Sequence, residues 1–289
     1  MNYRHAYHAG NHADVLKHVA LARVIEHLKQ KDAPFRFYDA HGGIGSYDLG
    51  GVEAEKTLEW REGVGRLFSA DGAPLKITES GLAEEAEALL APWRECVSAA
   101  NDGGALKHYP GSPEIARLLL RPADKLRFNE LHPADYETLS ARYARDKRVA
   151  VSNLDALVFL KSQLPPPERR GLVLIDPPYE KTDEADRALQ MLSEGLKRFA
   201  TGVFVLWFPV TGDGLDRRIK DAVREMEVKS LWATMNVRKP RPDGGLAGSG
   251  VVIVNPPWKL GRELEVVLPA LAERLSQGAP SFEMKNAAP

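Results

Sequence analysis

The stretch with the clearest chemical potential is a short apolar run that ends in Asp-Pro-Pro-Tyr. Residues 171–175 read Gly-Leu-Val-Leu-Ile, and Asp176, Pro177, Pro178 and Tyr179 follow at once. Such a run suits a parallel strand covered on both faces, and two prolines cannot continue the ladder. The strand should therefore end at Asp176, on the sheet edge where open α/β proteins bind ligands.

These groups suit one chemical task. An exocyclic amine conjugated to a ring is a poor nucleophile, because its lone pair is delocalised. Asp176 and the Pro177 carbonyl can accept its two N–H bonds and direct the lone pair, while Tyr179 stacks on the flat base. The motif resembles that of amino-methyltransferases that use S-adenosyl-L-methionine (SAM). A plain strand-to-turn boundary is the alternative interpretation, and four residues alone do not decide.

A second match to the same pattern lies near the C-terminus. Residues 255–258 read Asn-Pro-Pro-Trp and follow the apolar run 251–254. Methyltransferase-like sheets contain one late antiparallel strand, whose C-terminal end lies on the opposite edge from the cofactor. We therefore predict that Asn255 belongs to a structural turn, that 251–254 is the last strand, and that the tail after Gly278 is loose.

A glycine-rich turn supplies the second half of a nucleotide-type site. Residues 35–40 alternate and predict a strand, which runs into His-Gly-Gly-Ile-Gly from His41. Backbone approaches cofactors through such turns, and an acid at the end of the next strand, here Glu130, holds ribose hydroxyls. The separation of Asp39 from Glu130 is too long for one crossover helix unless the helical segment 52–107 is an insertion.

The sequence therefore predicts an α/β fold, a Rossmann-like class I SAM-dependent methyltransferase sheet with an inserted small helical subdomain. Residues 1–51 form the N-terminal arm, a helix and the first strand, 52–107 the insertion, and 108–289 the remainder. The arm helix should begin near Asn11, and Ser112 is predicted to cap a helix after the insertion.

Composition sets limits on the partners. The chain has 44% hydrophobic residues and a net charge of −1, so any nucleic-acid binding must come from local patches. A single cysteine, Cys96, excludes an internal disulfide and fits a reducing cytoplasm. No apolar run approaches the length of a membrane span, and we expect no membrane association.

Six of the eight histidines precede Gly42. They lack cysteine partners and the helical spacing with a carboxylate that zinc sites show, so we expect no metal. Two interpretations of the arm stay open. Its polar side chains either cover a solvent-exposed helix surface or contact RNA phosphates and bases. The basic loop 238–241 is likewise either an RNA contact or a solvated turn.

Several segments together resemble one family along nearly the whole chain. They are residues 3–5, 8–18, 109–113, 130–133, 174–179 and 255–260. They look like the RlmJ family, bacterial enzymes that make N6-methyladenine in 23S ribosomal RNA.

The resemblance implies roles for individual residues. Asp176 would be the catalytic proton acceptor, with Pro177 and Tyr179 beside it, and Tyr3, His5 and Lys17 would face the RNA. The SAM site would be formed by His18, His41, Ser112, Glu130, Asp155, Ala156 and Asp176. Ala156 departs from the family, which has glycine there, and alanine would be strained only at positive φ. The implied partner is 23S ribosomal RNA, and we expect a cytoplasmic monomer.

Other functions stay open at this point. The same chemistry acts on DNA adenine and, in related enzymes, on a glutamine side-chain amide. A nucleic-acid-binding protein without catalysis and a metal hydrolase built on the histidine arm are the remaining alternatives.

Overall fold

The computed structural model describes residues 4–77, 82–241 and 245–287, so Tyr3 lies outside the described residues. The α-helices are α1 (His12–Lys29), α2 (Val52–Thr57), α3 (Ala83–Ala99), α4 (Ser112–Leu119), α5 (Pro133–Tyr143), α6 (Ala156–Gln163), α7 (Glu184–Arg198), α8 (Leu215–Glu225) and α9 (Leu260–Arg274). The strands are β1 (Arg36–Asp39), β2 (Ser46–Asp48), β3 (His108–Pro110), β4 (Lys125–Asn129), β5 (Val149–Ser152), β6 (Gly171–Ile175), β7 (Val203–Val210), β8 (Ser230–Asn236), β9 (Gly248–Val254) and β10 (Ser281–Ala287).

The predicted α/β sheet is confirmed. One sheet has the order β5-β4-β1-β6-β7-β9-β8-β10. Strands β5, β4, β1, β6 and β7 pair in parallel, whereas β9 is antiparallel to both β7 and β8. The chain order reverses at β1, which lies between β4 and β6, so the carboxyl ends of these strands form the crevice where such sheets bind ligands.

Apolar side chains cover both faces of the sheet, which explains the unbroken apolar sequence of β6. All five residues of β6 are buried. Leu172 and Leu174 belong to the core beneath α1, α3, α4 and α9, while Val173 and Ile175 belong to the core beneath α6, α7 and α8. Because neither face of β6 is exposed to solvent, its sequence does not alternate between apolar and polar residues. The packing on both faces holds the strand in place up to Asp176.

The second Pro-Pro motif is a structural turn, as predicted. It follows β9, whose antiparallel direction carries Asn255 to the edge opposite Asp176. Asn255 has a left-handed φ of +54°, and its Nδ2 donates to the carbonyls of Ala200 and Gly202 at 2.8 Å each. The amide therefore closes the loop before β7 and has no place in the crevice.

The predictions that 251–254 is the last strand and that the tail after Gly278 is loose are both wrong, because β10 follows. Residues of β10 pair antiparallel with β8 along its whole length, from Ser281 opposite Asn236 to Ala287 opposite Ser230. Met284 packs against the core, and Glu283 accepts a hydrogen bond from Lys220 at 2.9 Å. The open edge of β8 provides the backbone partners, which the local sequence alone does not reveal.

The segment 52–107 leaves and rejoins the chain through the antiparallel pair of β2 and β3. Its helix α3 packs on α1, α4 and α9, and Trp93 and Leu90 share one core with Leu16 of α1. Val64 N–H donates to the Gly10 carbonyl at 2.8 Å, which anchors the segment beside the start of α1. That residues 52–107 form an inserted subdomain with these bounds stays a proposal.

Candidate active site

A cavity lies at the carboxyl ends of β1, β4 and β6, and it brings most of the predicted site residues together. The predicted residues that line it are His5, Lys17, His18, His41, Ser112, Glu130, Asp155, Ala156, Asp176 and Pro177. Gly42 and Gly43 of the glycine-rich turn line the same cavity. The turn and the Asp-Pro-Pro motif are therefore joined by one continuous space.

Asp176 is held by a buried lysine. Lys17 Nζ donates to Asp176 Oδ2 at 2.5 Å and lies 2.8 Å from Asp14 Oδ1, and Lys17 is only 3% exposed. Burial alone would lower the pKa of Lys17, but the charges of Asp14 and Asp176 outweigh it and raise the pKa above its usual value. The ammonium therefore stays charged and fixes the Asp176 carboxylate.

Asp14 completes this ion-pair network. Its Oδ2 accepts a hydrogen bond from Gly10 N–H at 2.9 Å. His5 Nε2 lies 2.9 Å from the same oxygen. Burial opposes the charged form, but His5 and Lys17 hold the pKa of Asp14 well below its usual range. Lys17 thus lies in the cavity wall between two carboxylates, and its contact with the RNA stays a prediction.

His41 supports Asp176 from the turn after β1. Asp176 N–H donates to His41 Nδ1 at 3.3 Å. Burial lowers the pKa of His41 to about 4, although the charge of Asp176 opposes that shift. A neutral ring with its proton on Nε2 is required for Nδ1 to accept.

We expect the His41 ring, followed by NMR in the free protein, to titrate with a midpoint near pH 4. A pKa below the usual 6.5 means that the neutral ring stabilises the fold above pH 6.5 and that this contribution is lost as the pH falls through 4. A midpoint near 6.5 would contradict the buried, accepting ring.

Glu130 is oriented by backbone N–H groups at the end of β4. Its Oε2 accepts from Gly43 N–H at 2.8 Å, and its Oε1 accepts from His132 N–H at 2.7 Å. Burial raises the pKa of Glu130, and these hydrogen bonds oppose the rise. Gly43 has φ +59°, and a Cβ there would lie 2.1 Å from the Tyr47 hydroxyl, so the turn needs glycine.

Asp155 and Ala156 form the start of α6. Asp155 Oδ1 accepts from the N–H groups of Leu157 and Val158, and Oδ2 pairs with Arg187 of α7. Ala156 is the first residue of α6 and is not among the residues with positive φ. Alanine therefore fits this position without backbone strain.

Ser112 does not cap α4, contrary to the prediction. Gly111 is the N-cap, and the Ser112 hydroxyl donates to Asp39 Oδ2 at 2.6 Å. Burial raises the pKa of Asp39 to about 7, while Ser112 and the His41 N–H oppose the rise. A serine at the first helical position can turn toward the end of β1 because the extended backbone of Gly111 already starts the helix.

Tyr179 is not among the described residues that line the cavity. Its φ of +54° turns the ring away after the two prolines, and its hydroxyl donates to the Trp207 carbonyl at 2.7 Å. The two rings lie 5.7 Å apart. The hydroxyl of Tyr179 is therefore held by the backbone of β7, and stacking of the ring on a substrate stays a prediction.

Sequence reasoning missed several groups around the cavity. Asp14 lies one helical turn before Lys17, and that i, i+3 spacing was a usable signal. Asp39 ends β1 directly before the glycine-rich turn, which was a second signal. Arg187 and Lys181, which line the cavity from the start of α7, gave none, because their contacts depend on the packing of α7 against α6.

Among the described residues no group of three or more His, Cys, Asp or Glu side chains is arranged to hold a metal ion. In residues 4–77, 82–241 and 245–287 no helix is both long and apolar enough to cross a membrane.

Comparison with known proteins gives one consistent result. The family model described as "Ribosomal RNA large subunit methyltransferase D, RlmJ" matches residues 32–285. The chain belongs to the RlmJ family. Ribosomal RNA large subunit methyltransferase J of Escherichia coli K12 is 42% identical over 95% of this chain and 94% of the relative. The enzyme of the same name from Haemophilus influenzae Rd is 40% identical over the same shares.

A solved structure agrees with this membership. The crystal structure of a Legionella pneumophila protein is similar to this RlmJ-family chain with a TM-score of 0.84 and 31% identity. The similarity covers 96% of this chain and 98% of the other.

Proposed function

We propose that this RlmJ-family chain transfers a methyl group from SAM to N6 of a specific adenine in 23S ribosomal RNA. The observation that carries the proposal is the placement of Asp176 and Pro177 on the wall of the cavity that the glycine-rich turn also forms. The names of the Escherichia coli and Haemophilus influenzae relatives support ribosomal RNA as the substrate class.

The donor set of the cavity fits SAM. Glu130 keeps lone pairs for ribose hydroxyls after accepting two N–H groups, and Asp155 lies at the entrance to α6, where the adenine ring is expected. Carboxylates lower the cost of burying the sulfonium charge that SAM carries. When bound, SAM supplies an electrophilic methyl group, and the residues of the chain bind it and orient the acceptor.

Asp176 and Pro177 orient the acceptor amine. A carboxylate oxygen and a carbonyl oxygen accept the two N–H bonds of N6, which draws the nitrogen toward tetrahedral geometry and points its lone pair at the methyl. The N–C bond forms as the S–C bond breaks, and one amine proton then leaves toward Asp176 or water. Lys17 fixes Asp176 from behind during this step.

The RNA must deliver an unstacked adenine, because a stacked base cannot reach a buried carboxylate. His5 lines the cavity. The neighbouring Arg4 forms two ion pairs at 3.3 Å, from Nη1 to Glu53 Oε1 and from Nη2 to Asp135 Oδ1. We propose that the arm, including Tyr3, contacts the RNA near the target base. The loop 238–241 is a second candidate for backbone contact.

A competition assay tests the substrate class. We expect methyl transfer from labelled SAM to unmodified 23S ribosomal RNA, with product that survives a tenfold excess of duplex DNA or of a glutamine-containing peptide. Preferential transfer to DNA or peptide would replace the proposed substrate. Binding of RNA without SAM affinity would identify a binding protein instead of an enzyme.

A further inference from the structure

His18 is one of the most deeply buried side chains of the cavity, and a tyrosine holds it there. His18 Nδ1 lies 2.9 Å from the Tyr109 hydroxyl, and the two rings stack with centroids 5.5 Å apart. His18 is 1% exposed and Tyr109 is 0% exposed. His18 Nε2 has no hydrogen-bond partner among the described residues, although the ring lines the cavity.

The direction of this hydrogen bond follows from a count of protons. A neutral imidazole has one N–H, and the phenol has one O–H. If His18 donated from Nδ1, the buried phenol proton would have no acceptor among the described residues. If Tyr109 donates to Nδ1, every proton is used except the one on Nε2, which then points to whatever fills the cavity. Each arrangement leaves one donor without a protein partner, but only the second places that donor on a ring that lines the cavity, since Tyr109 is not among the described residues of the lining. An acceptor in the cavity can then satisfy it, so the second arrangement is favoured.

Both groups keep the protonation states that this arrangement needs. Burial lowers the pKa of His18 well below its usual value, even though Asp14 opposes the shift, so the ring is neutral. Burial raises the pKa of Tyr109 well above its usual value, so the phenol keeps its proton. Neither group is therefore expected to change its charge near neutral pH.

We propose that Tyr109 is a positioning residue that fixes His18 as the Nε2–H tautomer, so that His18 donates a hydrogen bond to the carboxylate of SAM. The proposal rests on the proposed function for the identity of the ligand, and on the geometry of the Tyr109–His18 pair for the tautomer. Tyr109 belongs to β3, the strand on which the chain returns from 52–107. The end of that segment would therefore determine which nitrogen of His18 carries the proton that SAM accepts.

The carboxylate is the part of SAM that suits this donor. Elsewhere the cavity wall carries acids such as Glu130, Asp155 and Asp176, which favour hydroxyls and cations. Two of the cations in the lining are already paired with acids, Lys17 with Asp176 and Arg187 with Asp155. Gly111 and Ser112, at the N-terminus of α4, line the same cavity shortly after Tyr109. The N-terminus of a helix favours negative charge, which agrees with an N–H donor there.

The tautomer is read without any ligand. In protein with 15N-labelled histidine, the ring nitrogens of His18, assigned by their loss in His18→Gln, should show the Nε2–H form near neutral pH. In Tyr109→Phe we expect a mixture of tautomers, because Nδ1 has lost its donor. A wild-type spectrum with the proton on Nδ1 would overturn the proposal, whatever the ligand is.

Cofactor affinity gives a second readout. By calorimetry, Tyr109→Phe should bind SAM more weakly by the inverse of the fraction of His18 that keeps the Nε2–H form, a fraction that the NMR spectrum of the same variant gives. Decarboxylated SAM should bind the variant and the wild type alike, and kcat at saturating SAM should change less than the Michaelis constant for SAM. The matched control is Tyr38→Phe, which removes a buried phenol that donates to the Gln163 carbonyl at 3.1 Å and should leave both affinities unchanged.

The outcomes separate the two proposals. Equal weakening of SAM and decarboxylated SAM in Tyr109→Phe would refute the contact between His18 and the carboxylate. Failure of the wild-type protein to bind SAM at all would refute the proposed function, while the NMR spectrum would still decide the tautomer.

Discussion

Asp176→Ala is expected to lower kcat for methyl transfer by about 10³-fold or more, while SAM still binds measurably. The size follows from the loss of both orientation and proton acceptance at the amine. In this variant Lys17 loses the ion pair with Asp176 but keeps the one with Asp14, so the buried ammonium still has a carboxylate partner. Single-turnover kinetics on unmodified 23S ribosomal RNA and SAM calorimetry measure the two effects separately.

The matched control is Asn255→Ala in the second Pro-Pro motif. Asn255 donates two hydrogen bonds that close a loop and lies on the opposite sheet edge. We expect it to lower the free energy of unfolding by about 1–3 kcal/mol without changing kcat of the folded protein. A near-normal rate for Asp176→Ala, or an equal loss of rate in Asn255→Ala, would contradict the assignment of the first motif.

Lys17→Met is expected to have the largest effect on stability. Removal of the ammonium leaves Asp14 and Asp176 close together without their shared cation, and breaking a buried ion pair costs about 3–5 kcal/mol. We also expect a decrease in kcat of about 10²-fold, because Asp176 loses the contact that fixes it. Urea denaturation gives the first quantity, and single-turnover rates below the transition give the second.

Arg23→Met on the same helix separates stability from catalysis. Arg23 lies six residues after Lys17 on α1, and its Nε donates to Glu263 Oε2 at 2.9 Å. It is not among the described residues that line the cavity. It should destabilise the protein but leave the rate per folded molecule unchanged. If Lys17→Met were destabilised yet fully active, Lys17 would be structural only.

The sheet and its ligand-binding edge were predictable because their signals are local. An unbroken apolar run bounded by Asp176 and two prolines specifies a fully covered strand and its end. The strand before Gly42 and the acid at Glu130 specify the neighbouring strand ends in the same way. Because the carboxyl ends of parallel strands meet at one edge of the sheet, recognising the strand ends places Gly42, Glu130 and Asp176 together although they are far apart in sequence.

The contacts inside the site were not predictable for the opposite reason. The bond between Lys17 and Asp176 joins a helix to a strand end, whereas the family resemblance implied only that Lys17 faces the RNA. Nothing local to Tyr179 indicates that its hydroxyl is held by the Trp207 carbonyl of a neighbouring strand. The pairing of β10 with β8 likewise depends on an edge that is created only by the folded sheet.

The most direct test of the central claim is the chemical identity of the product. Unmodified 23S ribosomal RNA is incubated with the protein and methyl-labelled SAM, digested to nucleosides and analysed by mass spectrometry beside the Asp176→Ala variant. The label should appear only in N6-methyladenosine, at a stoichiometry that approaches one per RNA molecule, and be absent with the variant. Label on another base, on a ring nitrogen or on ribose would contradict an amine oriented by Asp176 and Pro177.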